Sequence, residues 1–151
     1  MTIDVRTGSP EETLDLGRRL APSLTAGDVV LLSGRLGAGK TLFVAGIAEG
    51  LGIDEPIVSP TFVIARVYRG GFLPLVHADV YRLQTAAEFD DLELVDLAAD
   101  GVLVVEWGEA VESVVPDDHL LVRIEVVDDG ERRIAFEPRG SWSRRHLGVA
   151  S

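Results

Sequence analysis

Gly34-Arg35-Leu36-Gly37-Ala38-Gly39-Lys40-Thr41 fits the phosphate-binding loop pattern G-x-x-x-x-G-K-[ST] at every specified position. The apolar run Val29-Val30-Leu31-Leu32 precedes it and residues 42–49 follow with helical character, which is the strand, loop, helix order such a loop requires. Glycines let successive backbone N–H groups converge on one point, and the N-terminus of the following helix adds its partial positive charge there. An anionic phosphate is the natural occupant. The Lys40 ammonium would then reach the β- and γ-phosphates and the Thr41 hydroxyl would take one coordination position of Mg²⁺, with Gly34, Leu36, Gly37, Ala38, Gly39 and Leu42 completing the nucleotide cradle. Composition points the same way: beside thirteen arginines the chain has a single lysine, Lys40. A compact three-donor ammonium suits this place, and a broad guanidinium does not.

With 151 residues, 46% of them hydrophobic, the chain is expected to form one domain over residues 1–151, with a tail from about residue 138. It has no cysteine, which removes disulfides, thiolate metal sites and cysteine nucleophiles. Apolar runs fall far short of a membrane span, and residues 1–20 carry acids where a signal peptide would be basic and then apolar, so a cytoplasmic location and no membrane partner are expected. The formal net charge of −11 repels a nucleic-acid backbone and argues against independent DNA or RNA binding. The one visible basic patch, Ser143-Arg144-Arg145-His146, is expected to be a solvated or frayed tail.

Along the chain, Ser9-Pro10-Glu11-Glu12 reads as a helix start with Ser9 as cap, and Leu14, Gly17 and Leu20 continue a helical stripe toward the turn at Gly27. The helix after the phosphate loop should end at Gly50-Leu51-Gly52. Residues 63–68 and 72–77 are β-rich and flank Arg69-Gly70-Gly71, which predicts an antiparallel hairpin with Pro74 marking an edge or bulge. Residues 85–99 look helical. Val102-Leu103-Val104-Val105 reads as a buried parallel strand, and residues 120–127 and 132–136 across Asp128-Asp129-Gly130 as a second hairpin. No internal repeat or low-complexity linker divides the chain.

A phosphate loop needs a carboxylate for its metal, usually at the end of a neighbouring apolar strand. Glu106, after four aliphatics, is the candidate, and it would hold Mg²⁺ opposite Thr41. Asp79, in the polar cluster His77-Ala78-Asp79-Val80-Tyr81-Arg82, is placed to orient or deprotonate an attacking water, or to hold Mg²⁺ through a bound water. The catalytic set is therefore Lys40, Asp79 and Glu106. His77 is the weaker claim, since a lone histidine beside an apolar strand is more often structural. Ser59 and Thr61 flank Pro60 where a loop could sense the γ-phosphate, with Thr61 taken as a nucleotide contact. Trp107 is either core or an aromatic lid. With no second lysine the guanine-reading N-K-x-D motif cannot exist, which counsels against a signalling GTPase.

Ser59-Pro60-Thr61-Phe62, then His77-Ala78-Asp79-Val80-Tyr81-Arg82, then Glu106-Trp107, following the phosphate loop in that order, make the chain resemble the TsaE (YjeE) family over roughly residues 9–137. These are bacterial P-loop ATPases of tRNA threonylcarbamoyladenosine synthesis. The resemblance implies ATP and Mg²⁺ as cofactors, TsaB and TsaD as partners, and tRNA reached indirectly through that complex, where threonylcarbamoyl is transferred to the adenosine next to the anticodon. It places Arg132 at a family arginine near the nucleotide. Arg35 stands where an acid is frequent in the family, and Gly108 where proline often follows E-W.

The expected fold is α/β: a three-layer P-loop NTPase with a mixed, mostly parallel sheet and antiparallel hairpins. The expected function is a Mg²⁺-dependent ATPase, slow alone because no arginine finger is assigned. Two other readings stand beside it: a nucleotide-gated binding module in which hydrolysis is incidental, and a small-molecule kinase.

Overall fold

In this computed structural model, residues 2–35, 37–60 and 64–149 are described. The apolar run ahead of the phosphate loop becomes the central strand β2 (Asp28–Ser33), buried along its whole length. A strand covered on both faces must be apolar throughout, which is why it reads as a run and not as an alternation. Around it lie β1 (Ile3–Thr7), β3 (Ala65–Tyr68), β4 (Leu75–Asp79), β5 (Val102–Glu106), β6 (His119–Asp128) and β7 (Glu131–Arg139), in the sheet order β1-β7-β6-β2-β5-β4-β3. The inner strands β6, β2, β5 and β4 run parallel, and the flanks close antiparallel through the expected β3–β4 and β6–β7 hairpins.

Helices α1 (Pro10–Leu20) and α2 (Lys40–Gly50) cover one face, packing on Val30, Leu32, Leu75 and Val104. The other face, with Val29, Leu31, Val76 and Leu103, is covered by α3 (Ala86–Asp91), α4 (Leu94–Leu97) and the 3-10 turn Gly108–Val114. These are the three expected layers. A left-handed Glu93, at φ 54°, breaks residues 85–99 into two short helices where one was expected.

Ser9 caps α1, its Oγ accepting from the Glu12 N–H at 3.2 Å, while the Glu12 carboxylate accepts from the Gly8 N–H at 3.3 Å. The buried face of α1 is Thr13, Leu16, Gly17 and Leu20, rotated from the predicted stripe so that Leu14 is only half-buried. Backbone contact causes the rotation. A Cβ on Gly17 would lie 2.5 Å from the Phe43 carbonyl oxygen, and one on Gly46 would lie 2.1 Å from that of Leu14, so α1 and α2 meet glycine against glycine.

Three other expectations are corrected. Strand β1 was not foreseen; it pairs antiparallel with β7 at the sheet edge. Pro74 sits just before β4, which is an interior strand, and its carbonyl accepts from the Val102 N–H at 2.9 Å; the edge strand is β3. The residues beyond 138 pack on the body and are not frayed, although Ser143, Arg144 and His146 of the basic patch are exposed as expected. Trp142, Leu147 and Val149 are buried, and Arg145 forks onto Asp28 at 2.5 and 3.1 Å while lying 3.7 Å over the Trp142 ring. No helix among the described residues is long and apolar enough to cross a membrane.

Candidate nucleotide site

Strand alternation builds the site. Residues two apart share a face, so Leu75, His77 and Asp79 on β4 and Val102, Val104 and Glu106 on β5 look toward α2. The register sets Glu106 between Leu32 of β2 and Asp79 of β4, at the strand ends where α2 begins. Here Thr41 Oγ1 donates to Glu106 Oε2 at 2.8 Å, and His77 Nε2 meets the same oxygen at 2.6 Å. Glu106 is 3% exposed and His77 0%. Among the described residues these two are the hydrogen-bond partners of the Glu106 side chain.

The loop itself turns through left-handed glycines, with φ of 82° at Gly37 and 112° at Gly39, values that a side chain would strain. Ala38 is buried, and its carbonyl accepts from Arg132 Nε at 2.9 Å, so β7 braces the loop from the side. Arg132 also donates to the Glu131 carbonyl, at 3.2 Å. Leu42 is half-buried in the first turn of α2. Two expected nucleotide contacts, Leu36 and Thr61, lie outside the described residues. Tyr68 pins the segment ahead of Ser59, its hydroxyl accepting from the Val58 N–H at 3.3 Å.

Lys40 is buried and turned back on its own loop. Its Nζ donates to the Gly34 carbonyl and, at 3.3 Å, to that of Arg35, and it lies 3.8 Å over the Trp107 ring. Burial holds its pKa below the ordinary 10.5, while Glu106, Glu109 and Asp79 pull the other way. Trp107 is left-handed, at φ 62°, which costs a non-glycine residue about 1 kcal/mol. That turn lays its ring between Lys40 and Tyr81, whose ring centre is 5.0 Å away. Asp79 accepts from the Tyr81 N–H at 3.0 Å, and Ser33 Oγ donates to Glu109 at 2.9 Å.

Lys40, Thr41, Asp79 and Glu106, expected to act together, are thus gathered where β2, β4 and β5 meet α2. The structure also brings here His77, expected to be the weaker claim, Trp107, expected as core or lid, and Glu109, on which no expectation rested. Only the E-W-G-E spacing carried a signal for the last. For a metal, the donor set is a hydroxyl and a buried carboxylate in contact. Hard oxygens of this kind suit Mg²⁺, whose remaining positions phosphate and water would fill.

A family model described as threonylcarbamoyl adenosine biosynthesis protein TsaE matches residues 7–134. Among curated relatives, a Mycobacterium tuberculosis protein named tRNA threonylcarbamoyladenosine biosynthesis protein TsaE is 47% identical over 143 residues, covering 89% of this chain and 83% of the relative. The Bacillus subtilis protein of that name is 44% identical over 137 residues, covering 90% and 85%. The crystal structure of YdiB from Bacillus subtilis superposes with a TM-score of 0.80 at 37% identity, covering 95% of this chain and 90% of that one.

Proposed function

Because the chain belongs to the TsaE family of tRNA threonylcarbamoyladenosine biosynthesis, we propose that it is a cytoplasmic, Mg²⁺-dependent ATPase that works with TsaB and TsaD and reaches tRNA only through them. One observation carries the reading: Thr41 and Glu106 touch at 2.8 Å beside the buried Lys40, at the mouth of a glycine loop. In this proposal Thr41 and Glu106 hold Mg²⁺, which when bound neutralises charge on the β- and γ-phosphates. Lys40 leaves the Gly34 and Arg35 carbonyls to reach those phosphates. Asp79 orients the attacking water. Arg132 keeps the loop in shape through Ala38 and does not act as an arginine finger, which leaves slow turnover alone and faster turnover with partners.

A second reading draws on Lys40 itself. Nucleotide binding must re-aim a lysine stacked on Trp107, and a partner could read that movement with hydrolysis incidental. Asp79→Ala separates the two: lost modification with ATP binding kept favours the ATPase, and retained modification favours the gate. Phosphate found on an added metabolite would instead reveal a kinase. The primary test is Mg²⁺-dependent phosphate release from ATP and GTP, with and without TsaB and TsaD, for wild type and Glu106→Ala. Partner-stimulated, ATP-selective release that Glu106→Ala abolishes is the expected result. Turnover unchanged by the partners would sink the proposal.

A further inference from the structure

Among the described residues His77 is the most deeply buried polar side chain, and through Nε2 it touches one charged group, Glu106, at 2.6 Å. Its other ring nitrogen, Nδ1, is buried without a hydrogen-bond partner among those residues. A carboxylate only accepts, so the single proton of a neutral imidazole sits on Nε2 and the unsatisfied atom is a bare lone pair. The reverse arrangement would bury an unsatisfied N–H, the costlier defect. Either way, the ring carries a polar cost of its own that a leucine between Val76 and Ala78 would not, although the leucine would take one donor from the buried Glu106 carboxylate. The burial of the ring by itself therefore does not account for a histidine here.

Its effect on Glu106 does. Two donors, Thr41 Oγ1 and His77 Nε2, converge on Oε2, and no hydrogen bond among the described residues reaches Oε1. Because the two donors arrive from different elements, α2 and β4, they fix the rotation of the carboxylate as well as its place.

We propose that His77 is a positioning residue: its Nε2–H holds Oε2 of Glu106 and keeps Oε1 oriented for the divalent cation that arrives with the nucleotide. The inference rests on the reading of Glu106 as the cation's partner. Partners that orient a metal ligand are commonly worth about ten- to a hundredfold in metal affinity.

The test uses the full chain with ATP, Mn²⁺ as the paramagnetic probe, and the variants His77→Leu and His77→Gln, the second keeping an N–H at the same reach. In His77→Leu we expect Mn²⁺ affinity to fall at least about tenfold, whatever the change in melting temperature; His77→Gln should recover most of it. ATP affinity without divalent cation should be the same in all three proteins. Should His77→Leu not fold, His77→Met removes the donor with a more adaptable side chain. Wild-type Mn²⁺ affinity in both variants, or an equal loss in both, would overturn the inference, since neither follows the donor. A wild-type Mn²⁺ signal that Glu106→Ala leaves unchanged would overturn the functional reading itself, and this inference with it.

Discussion

The two ends of β2 carry the same parts used in opposite ways. At its start, Asp28 is saturated: it accepts from the Thr25 N–H at 2.7 Å and from both terminal nitrogens of Arg145, and that guanidinium lies on Trp142. At its end, beside Leu32, Glu106 has a hydroxyl and an imidazole for partners, and the nearby Lys40 is committed to loop carbonyls and to Trp107. Each end has a buried carboxylate and a cation stacked on a tryptophan. At the start they are joined to each other and the charge is settled. At the end they are held apart, leaving an anion that can still take a cation and a lysine that can still take an anion. The difference separates a clasp from a site: the first spends its charges on stability, and the second keeps them available.

The largest effect expected to sharpen this contrast is on turnover. Glu106→Gln keeps the shape and removes the charge, and should lower partner-stimulated phosphate release by roughly 10²–10³-fold while the melting temperature holds or rises. A matching loss of stability would make the two ends alike. Arg145→Met, at the other end, strands Asp28 with its charge buried. With the Arg145 side chain 27% exposed, the loss should be about 2–4 kcal/mol in urea unfolding, and ATP binding should be unaffected.

Lys40→Met should go the other way, raising stability by about 1 kcal/mol at neutral pH by relieving a desolvated ammonium while abolishing nucleotide hydrolysis. The sign follows from its lowered pKa. Between the folded pKa and 10.5 the unfolded chain binds more protons, so wild-type stability rises as pH climbs through that window, and the variant should lack the rise. The smallest effect is a control between the 3-10 turn Gly108–Val114 and the start of β6. The hydrogen bond from His119 holds the Glu112 pKa below 4.5; burial, the next largest cause, opposes it, and the Arg139 charge assists. Glu112→Gln should therefore cost less than about 1 kcal/mol above pH 4.5, the difference fading as pH falls through the folded pKa. That is the worth of an ordinary, partly exposed pair, against which both ends of β2 can be measured.

The legible parts of the molecule were those encoded by contiguous residues. The loop from Gly34 to Thr41, the buried β5 run ending in Glu106 and the two hairpins each carry their signal in one contiguous stretch, as turn chemistry and burial demand. What was not legible depends on distant partners. The alternation in Ile3 to Thr7 is too short to announce an edge strand, and its partner β7 lies at the far end of the chain. The closing segment seemed loose because its anchors are scattered apolar residues and one arginine whose carboxylate is 117 positions away. The contact of His77 with Glu106 depends on the β4–β5 register, which no local pattern reveals. The left-handed turn at Trp107 is visible only in three dimensions.

Mg²⁺ and ATP are expected to meet at the unsettled end of β2. The most direct test is calorimetric titration of ATP with and without Mg²⁺ into wild type, Glu106→Gln and Arg145→Met. Mg²⁺ should tighten ATP binding at least about tenfold, some 1.4 kcal/mol, in wild type and Arg145→Met, and should have no such effect in Glu106→Gln. Equal ATP affinity with and without Mg²⁺ in wild type, or full tightening in Glu106→Gln, would contradict it.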